Sequence, residues 1–278
     1  MAVWNSYGIA MATVCRPKWL GIGRHVRLSD LFAPLTAAFA ALMIVTPVPA
    51  AAQSPVPGVF NPPPGCTGWL TVQSRGCRVS NHYKCEADPA GDQWRADFDQ
   101  EGIFFVSHID RETQWVESYD MFPTVRQWLE PGAADPASFS ELLSTGIDTF
   151  DFNLSDDAGS KTNVKGFDKL TGNSTVIDGV QLQETEFDFT ETTSDGTVLR
   201  KANGHEWIQP DWRLFFSGKS TWESAEGDLP IDGTPMQFIM PGEKGFFSTE
   251  PIFDCDAITS SLPGVLQSAP LVRVGAEP

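Results

Sequence analysis

Three of the chain's five cysteines lie in CTGWLTVQSRGCRVSNHYKC, from Cys66 to Cys85, with Cys77 between them. Arg75-Gly76 reads as a two-residue hairpin turn, and the register that follows is specific. It sets Ser74 opposite Cys77, Val72 opposite Val79, Leu70 opposite Asn81, Gly68 opposite Tyr83 and Cys66 opposite Cys85. One face of this hairpin is then apolar: Cys66, Leu70, Val72, Cys77, Val79, Tyr83 and Cys85. Cys77 and Cys85 on one strand would stand about 26 Å apart at the usual rise per residue, too far to bond. Cys66 is therefore assigned to Cys85, and Cys77 to Cys255, which staples the first hairpin to the last strand. A bulge inside the hairpin would shift this register by one residue.

Disulfides require an oxidising compartment, and the N-terminus supplies a route to one. Arg16, Lys18, Arg24 and Arg27 precede the apolar run Leu31 to Val48, and Ala50 and Ala52 form an A-x-A cleavage signal before Gln53. This is the anatomy of a secretory signal peptide over residues 1–52, with Met11 as an alternative start. An uncleaved anchor is the competing reading; Pro34 and Pro47 favour cleavage, which leaves no stable transmembrane segment. Residues 53–65 read as a proline-rich spacer, 66–258 as a single disulfide-stapled β domain and 259–278 as a C-terminal tail. Cleavage removes four of the 19 Lys+Arg and one of the 36 Asp+Glu, leaving 15 against 35, a net charge of −20. Such a field repels phosphate backbones, so nucleic acid is excluded as a partner.

Along the domain, apolar and polar residues alternate between turn signals, the pattern of antiparallel strands. Trp94–Asp99, Ile103–Ile109 and Gln114–Phe122 form one meander. A second runs from Val176 to Gln209, punctuated by Asp178-Gly179, Asp195-Gly196 and Asn203-Gly204, and continues through Trp212–Glu223 and Met236–Met240. Between them a short helix is expected in ADPASFSELLSTG, capped by Asp135, with Pro136 at its first position and Gly146 as its stop. The fold class that follows is all-β: an antiparallel meander forming a curved sheet, half-barrel or sandwich, with one short helix in the middle. Phe187 and Phe189 lie opposite Glu184, Glu186 and Asp188, so one face of that strand is buried and the other wet.

Chemistry is sparse. The cysteine spacings lack any C-x-x-C, which argues against zinc and against a redox pair. HEWIQ does not complete H-E-x-x-H, because Gln209 stands at the second ligand position. His205, Glu206 and Asp211 are the weak catalytic candidates, close enough in sequence to serve a carbohydrate hydrolase. Asp151–Thr162 has acids at some odd positions of a calcium loop, but Asp156 replaces the required glycine and Thr162 the bidentate Glu; it reads as a polar loop. No cofactor or metal is expected. Trp94, Trp115, Trp207, Trp212 and Trp222 read chiefly as core, and as the wall for an apolar ligand in the alternative.

The segment WRADFDQEGIFFVSHIDRETQWV, Trp94 to Val116, resembles the early strands of the periplasmic lipoprotein-carrier half-barrels over one short stretch without a diagnostic motif. The resemblance implies a curved sheet that cradles an acyl chain. The sequence as a whole therefore reads as a periplasmic or secreted binding or interaction protein without catalytic machinery, its partner an apolar ligand or an envelope protein. A carrier of an acyl or lipid ligand and a carbohydrate hydrolase are the alternatives.

Overall fold

The computed structural model of the chain describes residues 58–223 and 227–255. The signal peptide and the C-terminal tail read from the sequence lie outside the described residues. Thirteen strands and one helix follow in chain order: β1 (Cys66–Ser74), β2 (Arg78–Cys85), β3 (Gln93–Asp99), β4 (Gly102–Ile109), β5 (Trp115–Met121), β6 (Thr124–Leu129), α1 (Phe139–Thr145), β7 (Ile147–Asp156), β8 (Lys161–Ile177), β9 (Val180–Thr193), β10 (Val198–Gln209), β11 (Leu214–Glu223), β12 (Leu229–Asp232) and β13 (Pro235–Ile239). From β1 to β12 each strand pairs antiparallel with the one before it, and β13 returns to pair with β1.

That return gives the sheet its shape. β12 and β13 are its two opposite edges, yet only Gly233 and Thr234 separate them in the chain. The sheet is therefore curled until its edges approach, although no ladder closes it. The two-residue link is tied to both sides of the gap: Arg75 N–H donates to the Thr234 carbonyl at 2.9 Å and Gly233 N–H to the Gly218 carbonyl at 2.9 Å. Arg78 Nη2 of β2 reaches Ser217 Oγ of β11 at 2.9 Å.

The first hairpin departs from the expected register from its turn down to Leu70 and agrees with it at its open end. The turn is a three-residue loop, Arg75–Cys77, with Gly76 at φ 70° and Cys77 at φ 56°, so Ser74 faces Arg78 and Leu70 faces His82. A bulge at Trp69 restores the count, and Cys66 again faces Cys85. The apolar residues consequently divide between two faces. Leu70 and Val72 pack with Leu182, Leu214, Phe216 and Phe238, while Val79 and Tyr83 pack with Ala96, Phe98 and Phe247.

The second of these clusters is covered by the segment after β13. Cys66 is bonded to Cys85 and Cys77 to Cys255, the two pairs selected by the hairpin geometry. Cys255 lies in this covering segment rather than in a strand, so the bridge ties a strap to the hairpin and not one strand to another. Polar residues under the strap are buried because its backbone satisfies them. Thr71 Oγ1 donates to Asn81 Oδ1 at 2.7 Å and accepts from Phe247 N–H at 2.7 Å. Asn81 Nδ2 donates to the Ser248 carbonyl at 2.8 Å, and Gln73 Nε2 to the Glu250 carbonyl at 3.0 Å. The described part of the proline-rich segment also docks here: Val59 bridges Ser248, and Phe60 packs on Tyr83, Phe98 and Phe247.

Two other expectations are corrected. The helix starts later than the Asp135-Pro136 signal, because Ser138 is its N-cap, accepting from Glu141 N–H, while Asp135 bridges Asp151. Gly146 ends it as expected. Asp151–Thr162 is the β7–β8 hairpin rather than a loop, and Asp151 is engaged by Asn163 Nδ2 at 2.8 Å and Lys165 Nζ at 2.9 Å.

Candidate functional site

The curl of the sheet leaves a cavity of about 480 Å³ between its two halves. One side is formed by Arg78 of β2, Asp99 at the β3–β4 turn and Phe104 of β4. The other side comes from β7 to β12, with Phe150, Asp168, Phe187, Phe189, Glu206, Ser217 and Trp222. Period-two alternation places these groups. On β9, Phe187 and Phe189 line the cavity, whereas Glu186 on the opposite face pairs with Lys169 at 2.6 Å. On β10, Glu206 lines the cavity, and its neighbour His205 points away, its Nδ1 3.8 Å from Glu184 Oε1.

Walls and floor differ in chemistry. Phe104, Phe150, Phe187, Phe189 and Trp222 make an aromatic wall, tightened by the edge-to-face contact of Phe189 with Trp222 at 5.7 Å. Arg78, Asp168, Glu206 and Ser217 form a polar group against it. Behind Arg78 lie His82, fully buried, and Arg95, whose Nε stands 3.1 Å from Oδ2 of the buried Asp97. The Arg78 Nε is buried without a hydrogen-bond partner, and no side-chain hydrogen bond engages the carboxyl of Asp168 or of Glu206 among the described residues.

Burial sets the protonation of this group. It pushes Glu206 up to about 7, against the pull of Arg95 and Arg78. Asp168 is held well above the usual carboxylate range, first by burial and then by the charges of Glu206 and Asp148. Arg78 is lowered by burial, partly offset by Asp97. Burial takes His82 down to about 3, with Arg95 adding to it, so this imidazole is neutral. Below about pH 7 the cavity therefore presents protonated carboxyls and a guanidinium to whatever enters, groups that donate hydrogen bonds.

Of the three catalytic candidates read from the sequence, only Glu206 reaches the cavity. His205 is on the outer face and Asp211 is exposed in the β10–β11 turn, so the structure does not bring the three together. Asp168 and Arg78 were missed by that reading. A signal for Asp168 existed: it alternates with Gly166 and Leu170 on a strand whose other face carries Lys165 and Lys169. Such a lone acid on a non-polar face marks a position of interest. Of the tryptophans, Trp222 lines this cavity, Trp207 and Trp212 pack on the Leu70 cluster, and Trp94 stacks on His108 with ring centroids 4.4 Å apart. Among the described residues no three His, Cys, Asp or Glu side chains come together as a metal site.

The chain matches no family model, no curated protein and no solved structure. The likeness of Trp94–Val116 to the lipoprotein carriers rests on that segment alone.

Proposed function

We propose that the protein is an exported binding module that takes an amphipathic small molecule into the mouth of the curled sheet, its apolar body on the aromatic wall and its polar end on Arg78, Asp168 and Glu206. The observation that carries this reading is the cavity of about 480 Å³ in which aromatic rings meet polar groups left without protein partners. That volume falls within the range of small-molecule sites, and a few convergent polar groups in an apolar cleft are their usual composition. Two disulfides fit an oxidising compartment, and among the described residues no helix is long and apolar enough to cross a membrane. A periplasmic or extracellular setting, reached through the signal peptide, follows from that reading.

A carbohydrate hydrolase is less well supported by the same residues. Glycoside hydrolysis pairs one protonated carboxyl with one ionised carboxylate. Asp168 keeps its proton at neutral pH and Glu206, at about 7, is then only half ionised, while His205 and Asp211, the other candidates, lie away from the pair.

The test is a titration with the neutral apolar fluorophore N-phenyl-1-naphthylamine. Saturable binding at one site is expected, lost in a Ser220→Trp variant whose indole fills the cavity that Ser220 lines. Absence of saturable binding, or equal binding by the filled variant, would overturn the reading. Native mass spectrometry of the purified protein then identifies any retained ligand by mass.

A further inference from the structure

Resting on that binding reading, we infer that the polar end of the ligand is a single carboxylate, seated on the Arg78 guanidinium with Asp168 and Glu206 as flanking donors.

Arg78 spends Nη2 on the neutral Ser217 hydroxyl, its Nε has no partner, and it forms no ion pair with a carboxylate among the described residues. A guanidinium taken out of water without an anion is costly, and bound water or an anion must compensate it. Arg95, the neighbouring half-buried cation, already has the buried Asp97 beside it. Rim charges do not reach inward to help. Arg75 is held by Asp254 at 3.1 Å and lies 3.9 Å from Asp232, while Asp99 Oδ1 accepts the N–H groups of Glu101 and Gly102.

The count of charges then selects the head group. His82 is neutral and Asp168 retains its proton, so Arg78, Arg95 and Asp97 leave one excess positive charge whenever Glu206 is protonated. A cationic head seated at this polar group would meet the Arg78 guanidinium, and the carboxylates that line the cavity beyond it, Asp99 and Asp232, stand on the rim and already accept from Glu101, Gly102 and Thr234 N–H groups. A neutral head would leave Arg78 uncompensated. A carboxylate completes the set: its two oxygens match the planar fork of an arginine, and its remaining lone pairs accept from the protonated carboxyls. The aromatic wall supplies the surface for the attached chain, and the one-charge excess fits a monoanion better than a phosphate dianion.

The experiment compares three ten-carbon probes with different heads on the wild-type protein by calorimetric titration at pH 6.5: decanoate, 1-decanol and decyltrimethylammonium. Decanoate is expected to bind at least tenfold more tightly than decanol and the cation more weakly than either. An Arg78→Met variant is expected to lower decanoate affinity to the level of decanol. Equal affinity for decanoate and decanol, or tighter binding of the cation, would overturn the carboxylate assignment while leaving the cavity as a binding site. Failure of all three to bind would overturn the binding reading itself. The comparison of heads uses the unaltered protein, so it stands even if the variant fails to fold.

Discussion

Asp168 of β8 and Glu206 of β10 flank β9 from its two sides and open into the same cavity, where each carboxyl lies within the electrostatic reach of the other's surroundings. They are joined through β9, because Asp168 faces Phe187 and Glu206 faces Thr185, two residues apart on one side of that strand. Two acids brought this close in a partly closed space cannot both ionise cheaply. Their protonation is therefore tied to the stability of the fold.

Glu206→Gln is expected to stabilise the protein at alkaline pH and to change little at acid pH. The folded state raises Glu206 from its ordinary 4.5 to about 7, so it holds the proton more tightly than the unfolded chain does. The stability linked to this proton is full below about 4.5 and is lost as pH rises through about 7. Glutamine keeps the neutral form at every pH, so the gain at pH 8 should be roughly 1–3 kcal/mol. Urea denaturation at pH 5 and pH 8 measures it, and an equal difference at both values would contradict the assignment. Asp168→Asn should behave with the same sign.

The parts of the fold that announce themselves in the sequence are those where the alternation is apolar. Trp94, Ala96 and Phe98, or Phe187 and Phe189, place strands and faces directly. β8 was hidden because its alternation is mostly polar with polar, Asn163 with Lys165 and Asp168 with Lys169, and the periodicity of buried residues carries no contrast there. In the first hairpin the cysteine pairs survive two register shifts, at the Arg75–Cys77 loop and at Trp69, because the shifts cancel. The faces between them do not survive, since a one-residue slip turns every side chain over. The floor of the cavity was legible only in part. Glu206 stood out beside a histidine that points the other way and Asp168 as the lone acid between Gly166 and Leu170, whereas Arg78 of β2 meets them through the curl of the sheet, a long-range property that no local pattern reports.

Removing the Cys77–Cys255 bridge is expected to cost more than removing Cys66–Cys85. The bridges close separations of 178 and 19 residues. Loop-closure entropy makes the longer one worth more by about 2 kcal/mol. The Cys77→Ala/Cys255→Ala variant should also loosen the strap. Hydrogen exchange at Phe247 N–H, which donates to Thr71, and at Phe60 N–H, which donates to the Phe247 carbonyl, should accelerate before exchange in the β8–β10 ladder. Uniform acceleration across the sheet would show that the strap is not a separate unit.

Gly68→Ala is expected to be destabilising through one contact. A Cβ at this position would fall 2.1 Å from Cζ of Phe247, the tip of whose ring meets the hairpin at the point where β1 bulges. Overpacking of this kind costs about 1–3 kcal/mol. In a Phe247→Ala background the same change should cost little, since the ring that it strikes is gone. A double-mutant cycle read by thermal or urea unfolding measures the coupling. Additive losses would place the cost of Gly68→Ala in the backbone and not in the ring.

His82 supplies the opposite pH slope. It is buried among Arg78, Arg95, Phe216 and Trp69, and burial followed by the Arg95 charge lowers it from 6.5 to about 3. The unfolded chain therefore takes up a proton that the folded chain refuses. The stability associated with neutral His82 is complete above 6.5 and is lost as pH falls from there toward about 3. The limiting slope is about 1.4 kcal/mol per pH unit. Replacing the imidazole by a chain that never protonates, His82→Leu, should cost stability at pH 7.5 through altered packing, and that deficit should shrink at pH 5. The effect runs against that of Glu206→Gln, whose advantage grows with pH. Denaturation curves for the two variants and the wild type at pH 5, 6.5 and 7.5 separate the slopes. A His82→Leu deficit constant across the three values would mean that the histidine is charged inside the fold, next to two arginines, and the charge count that selects a carboxylate for Arg78 would have to be redrawn.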